Sequence, residues 1–243
     1  MHILVSTCAK YHYMLPGLFR QFRKYYGTDE VHIVTDQAIP DRDSYGNVVQ
    51  HCLPGQQWAA MVNQVVNSYL TEPILLLFDD YWLTQQVQRP MVDVLALMVS
   101  QGQADKGDLG LTTSIYEHTR HQALPMTLSK PNAQYRQTLQ PAIWNPYALL
   151  ELTKYPQMNP WQAETQASYM PNIRNLQWTT HERVMDYANI LLKGSYNLDQ
   201  VCQLAWTDLQ DLRTNNMLPG VPELTKIQYC QHRTSGSHVF KGT

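Results

Sequence analysis

Two adjacent carboxylates, Asp79 and Asp80, stand directly after Ile74–Phe78, a run that is apolar at every position. Such a run reads as a strand covered on both faces, and acids at its end are costly unless they meet a crevice or a counter-ion. The carboxyl ends of strands in open α/β sheets are where ligands bind, and hard divalent cations take oxygen ligands. The pair therefore fits either a plain strand cap and turn or a cation site. In the second case Mg2+ or Mn2+ would bridge two phosphates of a nucleotide diphosphate and stabilise the departing charge. A third acid, Glu164, follows Asn159-Pro160, which reads as an N-cap with proline at N1 and Gln162 completing a capping box. Glu164 is then expected in the first helical turn, where the dipole favours a charged carboxylate able to act as a general base.

Aromatic and basic residues surround these acids. Trp58, Trp82, Trp144 and Trp161 offer faces that stack on sugars or bases. Trp58 lies on an apolar helical stripe and needs no ligand, whereas Trp144 and Trp161 sit beside Gln140, Asn145 and Gln162 and are candidates for a ligand wall. Arg120, Lys130 and Arg136 could meet an anionic donor or acceptor. His118-Thr119-Arg120-His121 could hold a metal, though it lies in a loop-like stretch without a further acid nearby.

The elements that must position these groups alternate strand and helix. Residues 2–7 read as a strand, and Leu15, Leu18, Phe19, Phe22, Tyr25 and Tyr26 as a helix with Pro16 in its first turn and Gly27 at its stop. A strand over 31–34, a short extended segment at Val48-Val49 and a helix carrying Trp58, Met61, Val62, Val65, Val66, Tyr69 and Leu70 come next. Past the acidic pair, a helix is expected over 90–100 and a strand at Leu109-Gly110-Leu111-Thr112. Residues 114–132 read as loops and short strands. Asn145-Pro146 marks another helix start. Val184, Tyr187, Ala188, Leu191 and Leu192 fit a helical face broken at Gly194-Ser195. Asn197 with Gln200 predicts a capping box ahead of a helix with Leu198, Val201, Cys202, Ala205, Leu209 and Leu212 on its apolar side, and a polar tail from Gln231 closes the chain.

Taken in order, Ile3-Leu-Val-Ser-Thr-Cys-Ala-Lys-Tyr11, Val31-His-Ile-Val-Thr-Asp36, Trp58 and Ile74-Leu-Leu-Leu-Phe-Asp-Asp-Tyr-Trp82 resemble the donor half of GT-A glycosyltransferases of bacterial polysaccharide loci and phages. Leu139-Gln-Pro-Ala-Ile-Trp144 followed by Asn159-Pro-Trp-Gln-Ala-Glu164 resembles the segment in which a glutamine and a tryptophan precede a Trp-x-x-Glu acid. The resemblance covers roughly residues 2–170. It implies an α/β fold of GT-A (Rossmann-like) type, an open mixed sheet flanked by helices, with a mainly helical C-terminal part. Residues 1–170 would form the nucleotide-sugar-binding and catalytic domain, and 171–243 a helical extension packed on it.

The same resemblance makes Phe78-Asp79-Asp80 the counterpart of a D-x-D motif, with Phe78 in place of its first acid. Asp80 would hold Mn2+ or Mg2+ and Asp79 the donor hydroxyls. Thr7, Lys10, Tyr11, Asp36, Trp58, Gln140 and Trp144 complete the implied donor site, with Lys10 suited to a phosphate. Glu164 would be the general base of an inverting transfer from a nucleotide diphosphate sugar to an acceptor hydroxyl. The acceptor would be a surface glycan or hydroxymethylated phage DNA. A sugar nucleotidyltransferase, which ordinarily has a glycine-rich loop after its first strand, and a non-catalytic carbohydrate- or nucleotide-sugar-binding protein are the alternatives.

Composition sets the outer limits. The chain has 243 residues, a formal net charge of −2 and 16% charged residues, which suits a compact globular protein and gives no global pull toward a polyanion. Cys8, Cys52, Cys202 and Cys230 are too dispersed for a zinc or redox motif and read as reduced thiols. No apolar stretch approaches the ~20 residues needed to span a bilayer. A cytoplasmic protein is expected, in the host cytoplasm if phage-encoded, with its oligomeric state open.

Overall fold

A computed structural model describes residues 1–109, 123–128, 137–167, 177–192 and 194–236. The chain begins with β1 (His2–Ser6), α1 (Leu15–Tyr25), β2 (Val31–Thr35), β3 (Val48–Cys52), α2 (Trp58–Tyr69) and β4 (Ile74–Phe78). Then come β5 (Tyr81–Leu83), α3 (Arg89–Ser100), β6 (Lys106–Asp108), β7 (Met126–Leu128), β8 (Ala142–Trp144), α4 (Pro146–Leu152), α5 (Pro160–Ala167) and β9 (Gln177–Thr180). It ends with β10 (Tyr187–Asn189), β11 (Leu191–Leu192), β12 (Ser195–Tyr196), α6 (Leu198–Val201), α7 (Trp206–Thr214) and α8 (Lys226–Gly236). Two compact units interleave along it. The larger holds Met1–Ala9, Thr28–Phe78 and Gln88–Met185; the smaller holds Lys10–Gly27, Asp79–Val87 and Asp186–Thr243. The expected domain boundary at residue 170 falls outside the described residues.

The larger unit is a mixed, open sheet of eight described strands in the order β3-β2-β1-β4-β8-β6-β9-β7. β3, β2, β1 and β4 run parallel, so their carboxyl ends share one edge; β8 turns antiparallel to both β4 and β6. Ile74, Leu75, Leu76 and Leu77 of β4 are buried, as an interior strand with both faces covered requires. One face packs Leu4, Val34 and Leu76 against α2, whose Trp58, Met61, Val62, Val65 and Val66 are buried, and against Ala148, Leu149 and Leu152 of α4. Each buried Val, Leu or Met of this set stabilises the unit by about 1.5–3 kcal/mol relative to exposure. Tyr69, expected on that stripe, is instead exposed and packs its ring on His51 at 4.7 Å.

Local start signals act as their chemistry dictates. Asn145 accepts the Tyr147 N–H at 2.9 Å and Pro146 opens α4. Asn159 and Gln162 exchange side-chain-to-backbone bonds of 2.9 and 3.0 Å at the head of α5. Of the strand expected at 109–112, residues 110–112 are outside the described residues, and the strand β6 that ends just before them had not been expected. Lys-Gly-Asp carries no apolar signature; its lysine and aspartate are buried because they pair with one another.

The smaller unit corrects the expected helix over 184–192. Tyr187, Ala188 and Asn189 form β10, antiparallel to Leu83, Trp82 and Tyr81, and Leu191-Leu192 pairs with Ser195-Tyr196 as a hairpin. Buried Ala188 and Ile190 follow a two-residue period, and the partner strand lies a hundred residues away in sequence. Gly194 takes φ +80° within that hairpin, a conformation that favours glycine. The expected capping box at Asn197 does not form: Gln200 Oε1 accepts the Asn189 N–H instead. One expected helix is two, α6 and α7, parted at Gln203-Leu204-Ala205, where Leu204 O accepts from Tyr229 Oη at 2.8 Å. Gln231, expected to begin a tail, lies inside α8.

In the same unit, α1 lies against β5. A Cβ on Gly17 would fall 2.0 Å from the Trp82 ring, so the glycine is what admits that indole. Asp208, buried on α7, receives Lys24 and Tyr25 of α1. Burial and this carboxylate raise the Tyr25 pKa, and its hydrogen bond raises that of Lys24. No disulfide joins the four cysteines, and no described helix is long and apolar enough to cross a membrane.

Candidate functional site

In the larger unit, the ends of β1 and β2 are stitched together. Thr7 N–H donates to Val34 O at 3.1 Å, extending the parallel ladder by one residue, and Asp36 Oδ1 accepts the Ala9 N–H at 2.7 Å. Thr7 is buried and Asp36 half-buried, so the sheet edge presents Asp36 more than Thr7. Trp58 stays in the core, 7% exposed, its Nε1–H bonded to Ser6 Oγ at 3.1 Å. Phe78, standing where a full D-x-D motif has its first acid, stacks on Trp58 at 6.2 Å. The missing acid is thus a packing residue.

The later half of this unit brings Gln140 and Glu164 into one neighbourhood. Leu139 N–H donates to Glu164 Oε1 at 2.6 Å, and Gln140 N–H to Thr138 Oγ1 at 3.1 Å. α5 begins at Pro160, so Glu164 is its fifth residue and stands in the second turn rather than the first. Its carboxylate is bonded by the backbone N–H of Leu139 and not by the helix terminus. Trp161, one turn earlier, is 67% exposed. Trp144, expected on a ligand wall, is fully buried beneath the Lys106 ammonium, 4.9 Å from its ring centroid, and offers a ligand no surface.

In the smaller unit, Asp79 and Asp80 are held by the β5–β10 pairing. Asp79 is buried and its carbonyl accepts from Trp82 Nε1 at 3.0 Å; Asp80 O accepts from Ile190 N at 2.9 Å. With its amide turned to satisfy both partners, Asn189 donates to Asp80 Oδ2 at 2.9 Å and to Leu191 O at 2.8 Å. Burial pushes the Asp80 carboxyl up to about 6, against the opposing pull of a backbone hydrogen bond. Lys10 is exposed, its Nζ 5.0 Å from the Tyr11 ring, and both residues border Gly194. Tyr11, Tyr13 and Tyr196 form a chain of rings at 6.4 and 6.1 Å. Burial, then Tyr11, then Asp79 raise the Tyr13 pKa, while burial lifts Tyr196 to about 12, keeping both hydroxyls protonated as donors.

Tyr13, Tyr196 and Asn189 did not stand out in the sequence. Asn189 lies on the exposed face between buried Ala188 and Ile190, where a polar residue is the ordinary choice, so nothing local marked it. Among the described residues no three His, Cys, Asp or Glu converge as a metal centre. A cation at Asp80 would draw its remaining ligands from donor phosphates and water, the usual manner of Mg2+. His118, His121, Arg120, Lys130 and Arg136 lie outside the described residues.

No protein-family model and no curated protein matches this sequence. Among solved structures, TarS 1-349 from S. aureus is 15% identical, with a TM-score of 0.51 over 96% of this chain and 79% of that one. The fold is a GT-A (Rossmann-like) open mixed sheet flanked by helices. A cytidylyltransferase from Leptospira borgpetersenii (12% identity, TM-score 0.49) and an active-site variant of LgtC (11%, 0.44) each align over 92% of this chain and 98% of their own.

Proposed function

We propose that this chain transfers a sugar from a nucleotide diphosphate sugar to an acceptor hydroxyl. The observation that carries the reading is Asp80. It directly follows Asp79 at the end of the sheet's interior strand, and its burial outweighs the Asn189 amide and a backbone hydrogen bond, which makes it a carboxylate suited to a divalent ion. A bound Mg2+ or Mn2+ would offset the charge of the departing diphosphate.

The protein's own groups supply the rest. In the larger unit Asp36 takes ribose or base; in the smaller, Lys10 meets a phosphate and Asp79 donor hydroxyls. Glu164 takes the proton of the acceptor hydroxyl through Oε2, Oε1 being held by Leu139. The acceptor oxygen bonds to the anomeric carbon as the bond to the diphosphate breaks on the opposite face, so configuration inverts. Exposed Trp161, three residues before Glu164 on the same helix, supports a glycan acceptor stacked beside the base. After β1 the chain enters a 3-10 helix over Ala9–Met14 with no glycine in it, which argues against nucleotidyl transfer.

A thermal-shift panel of nucleotide sugars with and without Mn2+, followed by transfer assays, tests the reading. Metal-dependent stabilisation by a nucleotide diphosphate sugar, lost in Asp80→Ala, is expected. Binding without turnover under every donor, metal and acceptor would leave a binding protein, and release of pyrophosphate from a nucleoside triphosphate would reveal a nucleotidyltransferase.

A further inference from the structure

Lys106 is 1% exposed on β6 of the larger unit, where an ammonium needs full compensation. Its Nζ meets Asp108 Oδ1 at 2.6 Å, donates to Thr138 O at 2.6 Å and faces the Trp144 ring at 4.9 Å. Asp108 Oδ2 in turn accepts from Gln177 Nε2 at 2.5 Å and Thr179 Oγ1 at 3.2 Å, so the acid is anchored to β9.

Thr138 C=O and Leu139 N–H belong to one planar peptide unit. Lys106 holds its carbonyl; Glu164 Oε1 holds its N–H at 2.6 Å. A cation on the carbonyl draws density from the amide and strengthens its N–H as a donor, because hydrogen bonds in a chain polarise one another. The buried ammonium and the half-buried carboxylate thus act on opposite ends of the same rigid plane.

We propose that Lys106 is a positioning residue for Glu164. Through the 138–139 peptide it fixes the carboxylate's orientation and steadies its charge, leaving Oε2 for the acceptor hydroxyl. The inference rests on Glu164 being the general base. It gives the buried pair a task in the reaction that packing alone does not require.

The test removes the pair as a pair, since Lys106→Met alone would strand a buried Asp108 charge. Lys106→Met with Asp108→Asn keeps an acceptor for Gln177 and Thr179. In that double variant kcat for transfer should fall about 10- to 100-fold with donor KM unchanged. The acidic limb of the pH–rate profile should move to higher pH, and the Leu139 amide should exchange with solvent about tenfold faster. A folded double variant with the wild-type pH profile and Leu139 exchange overturns the inference, as does a uniform drop in rate with neither change.

If the double variant does not fold, Glu164→Gln reads the bridge from its half-buried end. The Leu139 amide and Lys106 ammonium resonances should then move together in NMR spectra; movement of Leu139 alone overturns the coupling. Wild-type transfer by Glu164→Gln overturns the general-base reading instead, and is told apart by transfer rate rather than by Leu139.

Discussion

Glu164 in the larger unit and Asp80 in the smaller are both half-buried carboxylates without a cationic side chain paired to them among the described residues. Their surroundings differ in kind. Glu164 takes a 2.6 Å bond from a backbone N–H whose peptide is itself clamped, so its position is fixed by the chain. Asp80 takes the Asn189 side-chain amide and a hydrogen bond from its own backbone, and burial outweighs both. A carboxylate held by backbone is suited to moving a proton at a defined point. One whose burial is uncompensated is suited to an ion that arrives with the substrate.

Removing the backbone-held acid should have the largest effect. Glu164→Gln should cut transfer about 10^2- to 10^4-fold while nucleotide-sugar binding, followed by thermal shift, stays as in the wild type. Equal loss of binding and transfer would erase the distinction between the two acids.

Asp80→Asn should behave in the opposite way toward stability. The folded-state pKa of about 6 lies above the ordinary 3.8, so the folded protein binds this proton more tightly than the unfolded chain does. Stability from this group is therefore greatest below about pH 4 and falls as pH rises through 6. Without divalent cation, the variant should gain up to roughly 3 kcal/mol at pH 8 and nothing at pH 4, measured by urea unfolding in EDTA. It should also lose any stabilisation by Mn2+ with a nucleotide sugar. A variant less stable than the wild type at pH 8 would show that Asp80 is a structural acid.

Gly17→Ala probes the scaffold behind the acidic pair, since its methyl would collide with the Trp82 ring whose Nε1 holds Asp79 O. A loss of about 1–3 kcal/mol in urea unfolding is expected, with weaker metal-dependent binding. Asn159→Ala should cost about 1 kcal/mol by opening the capping box of the helix that carries Glu164. Its transfer rate should fall more than its donor binding; the reverse would place α5 on the donor side.

Much of the larger unit was legible from neighbouring residues. The α2 stripe, the continuous apolar β4 and the Asn-Pro starts of α4 and α5 are set by contacts within a few positions, and apart from exposed Tyr69 the structure realises each. The acids and their order were legible too. What escaped the sequence depended on distant partners: Tyr187–Asn189 reads as helix until Tyr81–Leu83 pairs with it, and Gln200 leaves its expected box for the Asn189 N–H. Trp144 looked like a wall residue beside Gln140 and Asn145, yet β8 is flanked by β4 and β6, which leaves its indole in the core.

The sequence by itself determined where an acid pair must fall, at the end of a strand too apolar to lie anywhere but inside a sheet, because period and hydrophobicity are local properties. Tertiary structure alone decided what each acid experiences. Burial, the Asn189 amide at Asp80 and the Lys106-clamped peptide at Glu164 come from residues 25 to 109 positions away, and the field at a carboxylate is the sum over whatever the fold brings near it.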